Sequence, residues 1–226
     1  MLGLYARKVG MTQVFDESGN LLPVSVLRID PNVVIAKKTR EADGYEAVVV
    51  GLEDAKKDRL SKPFAGQFAK TAVEEESANT KKRLIREIDI APKKRILELR
   101  DFEKEAAVGD SLGIEVLEGA RYVDVSGVSK GKGFQGVVKR YGFGGGRKTH
   151  GSKFHREPGS TGQNTYPHRT FKNRKLPGRM GREKVTVLSL KVVKTDTDKK
   201  LILVKGAVPG VNKGLVFVRC AVKKGR

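Results

Sequence analysis

The sequence predicts a mainly β protein, a closed barrel or sandwich, interrupted by one long basic segment. Two observations carry the β reading. Short runs of alternating or β-branched apolar residues recur along the 226 residues, and Gly, Asn, Asp and Pro punctuate them without alternating helices. A third, the near absence of aliphatic periodicity from 126 to 182, marks the interruption.

Residues 12–15 and 21–29 read as the first two strands. Between them Asp16-Glu17-Ser18-Gly19-Asn20 supplies the Gly and Asn that suit the positive φ of a hairpin loop. Residues 33–38 and 47–52 follow, with turn chemistry at Asp43-Gly44, and the four strands are expected to form a meander. From 55 to 92 the character changes. Ser61 before Pro63 marks a short helix start, while Lys57, Lys70, Glu74, Glu75, Glu76, Lys81 and Lys82 give a solvated, mixed-sign stretch, expected to be an insertion on the body. Strands resume at 84–90 and 96–99, at 111–116 after the Gly109-Asp110 turn, and at 122–128. Beyond the basic segment come 184–194, 200–205 and 215–222, joined through Thr197-Asp198-Lys199 and Pro209-Gly210.

A hydrophobic content of 38% is enough for a real core, and a formal charge of +20 with a pI near 10.1 calls for a polyanionic partner. A membrane surface fits less well. No segment joins basic residues to an apolar helical face, and no apolar run approaches the roughly 20 residues that span a bilayer. Arg7 and Lys8 break the N-terminal stretch where a signal peptide needs unbroken apolar residues, so a cytosolic protein is expected. Cys220 is the only cysteine, which excludes an intrachain disulfide and a cysteine zinc cluster. Within the alternation of 216–222 it reads as a small buried hydrophobe.

The basic segment carries the functional signal. Lys130, Lys132, Lys139, Arg140, Arg147, Lys148, Lys153, Arg156, Arg169, Lys172, Arg174, Lys175, Arg179 and Arg182 face a single acid, Glu157, a net +13. The same 57 residues hold 13 of the 26 glycines, all three histidines (His150, His155, His168), and Phe134, Tyr141, Phe143, Phe154, Tyr166 and Phe171. So few Leu, Ile and Val cannot bury enough apolar surface to offset ordering entropy, so the segment should fold only against a partner. Concentrated cations, backbone freedom and interleaved rings make that partner a nucleic acid. These cations, with His150 and His155, are the expected RNA-binding residues. As two arms of about 28 residues the segment would reach at most roughly 90 Å, a finger and not a domain. A helix at 133–141 would shorten the incoming arm and place the tip at 159–165, around Gly159, Ser160, Thr161, Gly162, Gln163 and Asn164, which carry no charge.

Gly131-Lys132-Gly133-Phe134-Gln135-Gly136 matches the dinucleotide pattern G-x-G-x-x-G. The match is weak, because Gly142 to Ser152 offers glycine and base where a Rossmann unit needs a buried second strand ending in an acid. Glycines that let the backbone approach phosphates explain it better. The three histidines lack a convincing set of Cys, Asp or Glu co-ligands, so stacking on bases or bonding to phosphates is expected over metal binding or catalysis. No cofactor, metal or catalytic residue is expected. Three other readings stand beside specific nucleic-acid binding: a disordered basic tail, a nonspecific nucleic-acid-binding protein and an RNA-modifying enzyme. Pro158, Pro167, Pro177 and the Gly159-Ser160-Thr161-Gly162 run speak against the tail.

Six motifs together resemble the bacterial large-subunit ribosomal protein L-three family. They are Gly3-Leu4-Tyr5-Ala6-Arg7-Lys8-Val9-Gly10-Met11-Thr12-Gln13-Val14-Phe15, Ser129-Lys130-Gly131-Lys132-Gly133-Phe134-Gln135-Gly136, His150-Gly151-Ser152, Pro158-Gly159-Ser160-Thr161-Gly162-Gln163, Pro177-Gly178-Arg179-Met180-Gly181 and Val204-Lys205-Gly206-Ala207-Val208-Pro209-Gly210. The resemblance implies a translation-protein-like β-barrel with a small α+β insertion and a long basic finger. Its boundaries would be 1–125 for the first part of the body with the insertion at about 55–95, 126–183 for the finger and 184–226 for the closing strands. It also implies a structural, non-enzymatic component of the cytoplasmic ribosome. Such a protein binds large-subunit rRNA early in assembly, near its 3′ end, and sends the finger toward the peptidyl-transferase centre. Implied neighbours are the L-fourteen and L-nineteen families. Gln163 matches a glutamine that is N5-methylated in some bacterial members, and the absence of Trp fits the bacterial form.

Overall fold

The computed structural model describes residues 2–56, 60–68 and 90–224. In chain order the elements are β1 (Gly3–Phe15), β2 (Leu21–Arg28), β3 (Asn32–Lys38), α1 (Arg40–Asp43), β4 (Ala47–Asp54), α2 (Lys62–Gly66), β5 (Lys93–Arg100), β6 (Ser111–Leu112) and β7 (Tyr122–Val128). Then come β8 (Gly133–Gln135), α3 (Val137–Tyr141), β9 (Gly178–Met180), β10 (Lys184–Asp196), β11 (Leu201–Lys205) and β12 (Leu215–Cys220). The chain is mainly β and divides into two compact units, 1–127 with 186–226 and 128–185.

In the first unit β1, β12, β7, β10, β11 and β2 close into a barrel in that order. Period-two alternation turns Leu4 and Ala6 of β1, Ile202 and Val204 of β11, and Val216 and Val218 of β12 into one buried cluster with Val123 and Val125 of β7. Register shifts between Lys8 and Gly10 in β1 and between Val192 and Lys194 in β10 mark bulges, which bend strands and increase their twist. A 3-10 turn at Ile114–Leu117 adds Ile114, Val116 and Leu117 to the same core.

Three sequence expectations need correction here. The first strand begins at Gly3, not at 12. Arg7, Lys8 and Gly10 break the apolar pattern, yet Lys8 is buried, its Nζ donating to the Val208 carbonyl at 3.0 Å. The meander does not form. β2 pairs with β1 and β11, whereas β3 joins a separate sheet of order β5-β4-β3-β6. Pro31 has no N–H to continue a ladder, and buried Asn32 accepts from the Tyr5 N–H (3.1 Å) while donating to the carbonyls of Tyr5 (3.1 Å) and Asp30 (2.9 Å). The strand expected at 111–116 is paired only at Ser111–Leu112, because the residues after Gly113 turn into the barrel core.

The second sheet is covered on both faces. Val34, Val48, Val50, Leu99 and Ala106 pack with Tyr5 and Phe217, whose rings lie 5.1 Å apart, and Ile35 packs with Phe68 and Ile90 on the other side. Gly51 permits this: a Cβ there would stand 2.4 Å from Lys93 Cγ and 2.7 Å from Ile35 Cδ1. In the expected insertion, the helix started by Ser61 is α2, while residues 84–89 of the strand expected at 84–90 lie outside the described residues.

Asp124 is a structural residue to which the sequence reading gave no role. It is 1% exposed, accepts from the backbone N–H groups of Ser189 (2.8 Å) and Val222 (3.4 Å), and pairs with Arg219 at 3.3 Å. Removing a buried carboxylate so placed strands donors in a low-dielectric site. Asp124→Ala is expected to lower stability by about 3 kcal/mol, and Asp124→Asn, which keeps one acceptor oxygen, by less. Urea midpoints check the order, and an Ala variant as stable as the parent would contradict it.

Candidate RNA interface

Residues 128–185 begin and end on one ladder. The Ser129 N–H donates to the Glu183 carbonyl and the Lys132 N–H to the Met180 carbonyl, both at 2.9 Å, and β8 pairs antiparallel with β9 from Gly133↔Met180 to Gln135↔Gly178. The helix expected at 133–141 is therefore shorter. Gly133 takes φ +68° and enters the ladder, leaving Val137–Tyr141 as the helix, which Gly142 ends at φ +75° with its N–H on the Val138 carbonyl. With 133–135 extended, the shortening of the incoming arm that placed the tip is largely lost.

The segment does not simply double back once. The Gly146 N–H meets the His155 carbonyl at 3.0 Å, closing a first loop, and the Arg174 guanidinium grips the carbonyls of Ser160 and Thr161, closing a second. Glycine makes the first closure possible. An added Cβ at Gly145, which has φ +76°, would lie 2.4 Å from the His155 oxygen, and one at Gly146 2.1 Å from the Phe154 oxygen. The uncharged residues Gly159, Ser160, Thr161, Gly162, Gln163 and Asn164 lie exposed on the second loop, where Ser160 Oγ donates to the Gly162 carbonyl at 2.8 Å.

Val137 is the one buried residue of this unit. Fifty-eight residues without a core present their charge outward: of the fourteen expected cations only Arg140 is half-buried, and the rest are exposed. His150, His155 and His168 are exposed as well. Two cations donate to backbone carbonyls within the unit, which spacing did not reveal. Arg140 donates to the Leu176 carbonyl at 2.8 Å and lies 4.9 Å from the Tyr141 ring centre, and Arg174 holds the second loop. Phe134 at 77% and Tyr166 at 81% are the most exposed rings and are open to stacking. Sequence reading named the rings but missed Val138, Gly144 and Gly146, which border a hollow beside Lys148, His155 and Arg156. No group of three or more His, Cys, Asp or Glu able to hold a metal occurs among the described residues, and none of their helices is long and apolar enough to cross a membrane.

Exposed cations, exposed rings and a backbone that depends on glycine form a surface suited to a phosphate backbone and unstacked bases. The family model described as Ribosomal protein L3 matches residues 34–200, from the second sheet through the basic unit. The chain is 50% identical over 226 residues, all of both chains, to the large ribosomal subunit protein uL3 of Treponema denticola. It is 51% identical over the same span to that of Treponema pallidum. With uL3 of Geobacillus thermodenitrificans it shares 49% over 222 residues, 98% of this chain and 97% of that one. A family match across most of the sequence, with half-identity along its full length, shows that this chain belongs to the ribosomal protein L3 family.

Proposed function

We propose that this protein is a structural constituent of the large ribosomal subunit in the cytoplasm and that residues 128–185 are its principal rRNA-binding finger. The observation that carries this is a 58-residue unit with one buried side chain and its cations turned outward. Such a unit gains its order from a polyanion. The relatives' names, all large ribosomal subunit proteins, supply the partner. Lys130, Lys132, Lys139, Arg147, Lys148, Lys153, Arg156, Arg169, Lys172, Lys175, Arg179 and Arg182 bind phosphates, with Arg140, Arg174, His150 and His155 ordering the backbone or touching RNA. No catalytic group takes part.

The resemblance supports finer assignments. The barrel is of the translation-protein type and docks on large-subunit rRNA early in assembly, near its 3′ end. The finger runs toward the peptidyl-transferase centre, proteins of the L-fourteen and L-nineteen families are neighbours, and Gln163 accepts an N5-methyl group. Cations then govern incorporation, while the uncharged stretch 159–164 tunes the RNA it touches.

Sucrose-gradient sedimentation of lysates tests this division. Tagged wild-type protein is expected with large subunits. Gln163→Ala with Asn164→Ala should incorporate normally but alter peptide-bond formation or sensitivity to drugs acting there, whereas Arg147→Glu with Lys148→Glu should deplete mature large subunits. Loop variants that fail to incorporate, beside charge-reversed variants that assemble and translate normally, would end this assignment.

A further inference from the structure

We infer that the hollow beside α3 is a seat for one unstacked RNA nucleotide, its base against Val138 and the glycine backbone and its phosphate on Lys148 and Arg156. This rests on the proposed rRNA binding and adds to it a subsite of defined chemistry. The hollow has a volume of about 460 Å³ and is lined by Val138, Gly144, Gly146, Lys148, His155 and Arg156. Its walls are fixed within 128–185. The Gly146 N–H to His155 carbonyl bond (3.0 Å) joins the two backbone stretches, and Phe154 closes over Gly146, where a Cβ would stand 2.5 Å from its ring. Gly144 faces open space, with no atom within 4 Å of a Cβ placed there.

Three physical features select a nucleotide. An apolar side chain beside bare glycine backbone lets a planar base approach closely, as an ordinary side chain would not. The rim carries two guanidinium or ammonium groups, both exposed and suited to phosphate oxygens. His155 Nδ1 lies 2.9 Å from the Arg147 carbonyl, which only accepts, so Nδ1 carries the hydrogen and Nε2 is the ring's remaining polar atom. A stacked duplex base has no face to offer such a hollow, so the occupant is a bulged or loop nucleotide.

The test uses the full chain and purified bacterial large-subunit rRNA, with filter binding across a salt series and chemical probing of base reactivity at saturating protein. Gly144→Leu fills the hollow without changing charge. It should lower affinity about 5- to 100-fold at an unchanged salt slope and restore reactivity to one or two bases that the wild type protects. Lys148→Ala with Arg156→Ala should lower the slope by about 2 and leave affinity at high salt nearer the wild type. A Gly144→Leu protein with wild-type affinity and footprint would overturn the seat while leaving rRNA binding intact. A wild-type protein that shows no salt-dependent rRNA binding would overturn both. The thermal transition of each variant guards against misfolding, and if Gly144→Leu lost it, Gly144→Val would replace it with the same expectations.

Discussion

Raising salt from 50 to 200 mM is expected to lower the affinity of the full chain for large-subunit rRNA by about 10³- to 10⁵-fold. Each phosphate neutralised by a protein cation releases condensed counterions, and the slope of log affinity against log salt counts them. Of the fourteen cations between 126 and 182, Arg140 and Arg174 are engaged with backbone carbonyls. The other twelve are exposed, and if 6 to 10 of them sit on phosphates the duplex slope gives the range above. Contacts to single strands would reduce the slope by about a fifth, with the same direction. Filter binding measures it. A flat dependence would remove the electrostatic reading.

Lys132 and Arg174 show what a charge pattern reveals and what it hides. Both were legible as cations in a glycine-rich segment. Only the fold separates Lys132, whose side chain is exposed and free to meet phosphate, from Arg174, whose fork closes a loop on Ser160 and Thr161. The same limit applied to the body. Val33 to Lys38 and Ala47 to Leu52 read correctly as strands from their β-branched apolar runs, but strand pairing depends on contacts remote in sequence. Asn32, bonded across 27 residues to Tyr5, sends β3 to another sheet, and no local pattern announces that. Lys8 hid the start of β1 because a charge signals exposure, although its side chain is buried and its Nζ bonds the Val208 carbonyl. The hollow bordered by Gly144 and His155 was equally silent, since it arises where the loop stretches 144–148 and 155–156 meet.

Replacing Lys130 to Met180 with a short Gly/Ser linker is expected to leave a cooperatively folding protein that no longer binds rRNA tightly. The packing makes the first half of this specific. Among the described residues, neither the three apolar clusters nor the side chains packed against them draw on 128–185. The barrel core of Leu4, Val125, Ile202 and Val218 and the sheet core of Val34, Val50 and Leu99 are therefore complete without it. Chain connectivity makes it feasible. β7 ends at Val128, β10 starts at Lys184, and these strands are neighbours in the barrel order, so the linker closes a gap already bridged in the parent by the Ser129 to Glu183 hydrogen bond. Closure entropy grows only as the logarithm of loop length, and shortening the loop lowers it. The second half follows from charge, since the deletion takes with it nearly all of the segment's cations. A single sharp thermal transition in the deleted protein, with rRNA affinity reduced by at least about 10³-fold at 50 mM salt, is the expected pair of results. Loss of the transition would make 128–185 part of the folding core, and undiminished affinity would move the principal RNA contact onto the barrel.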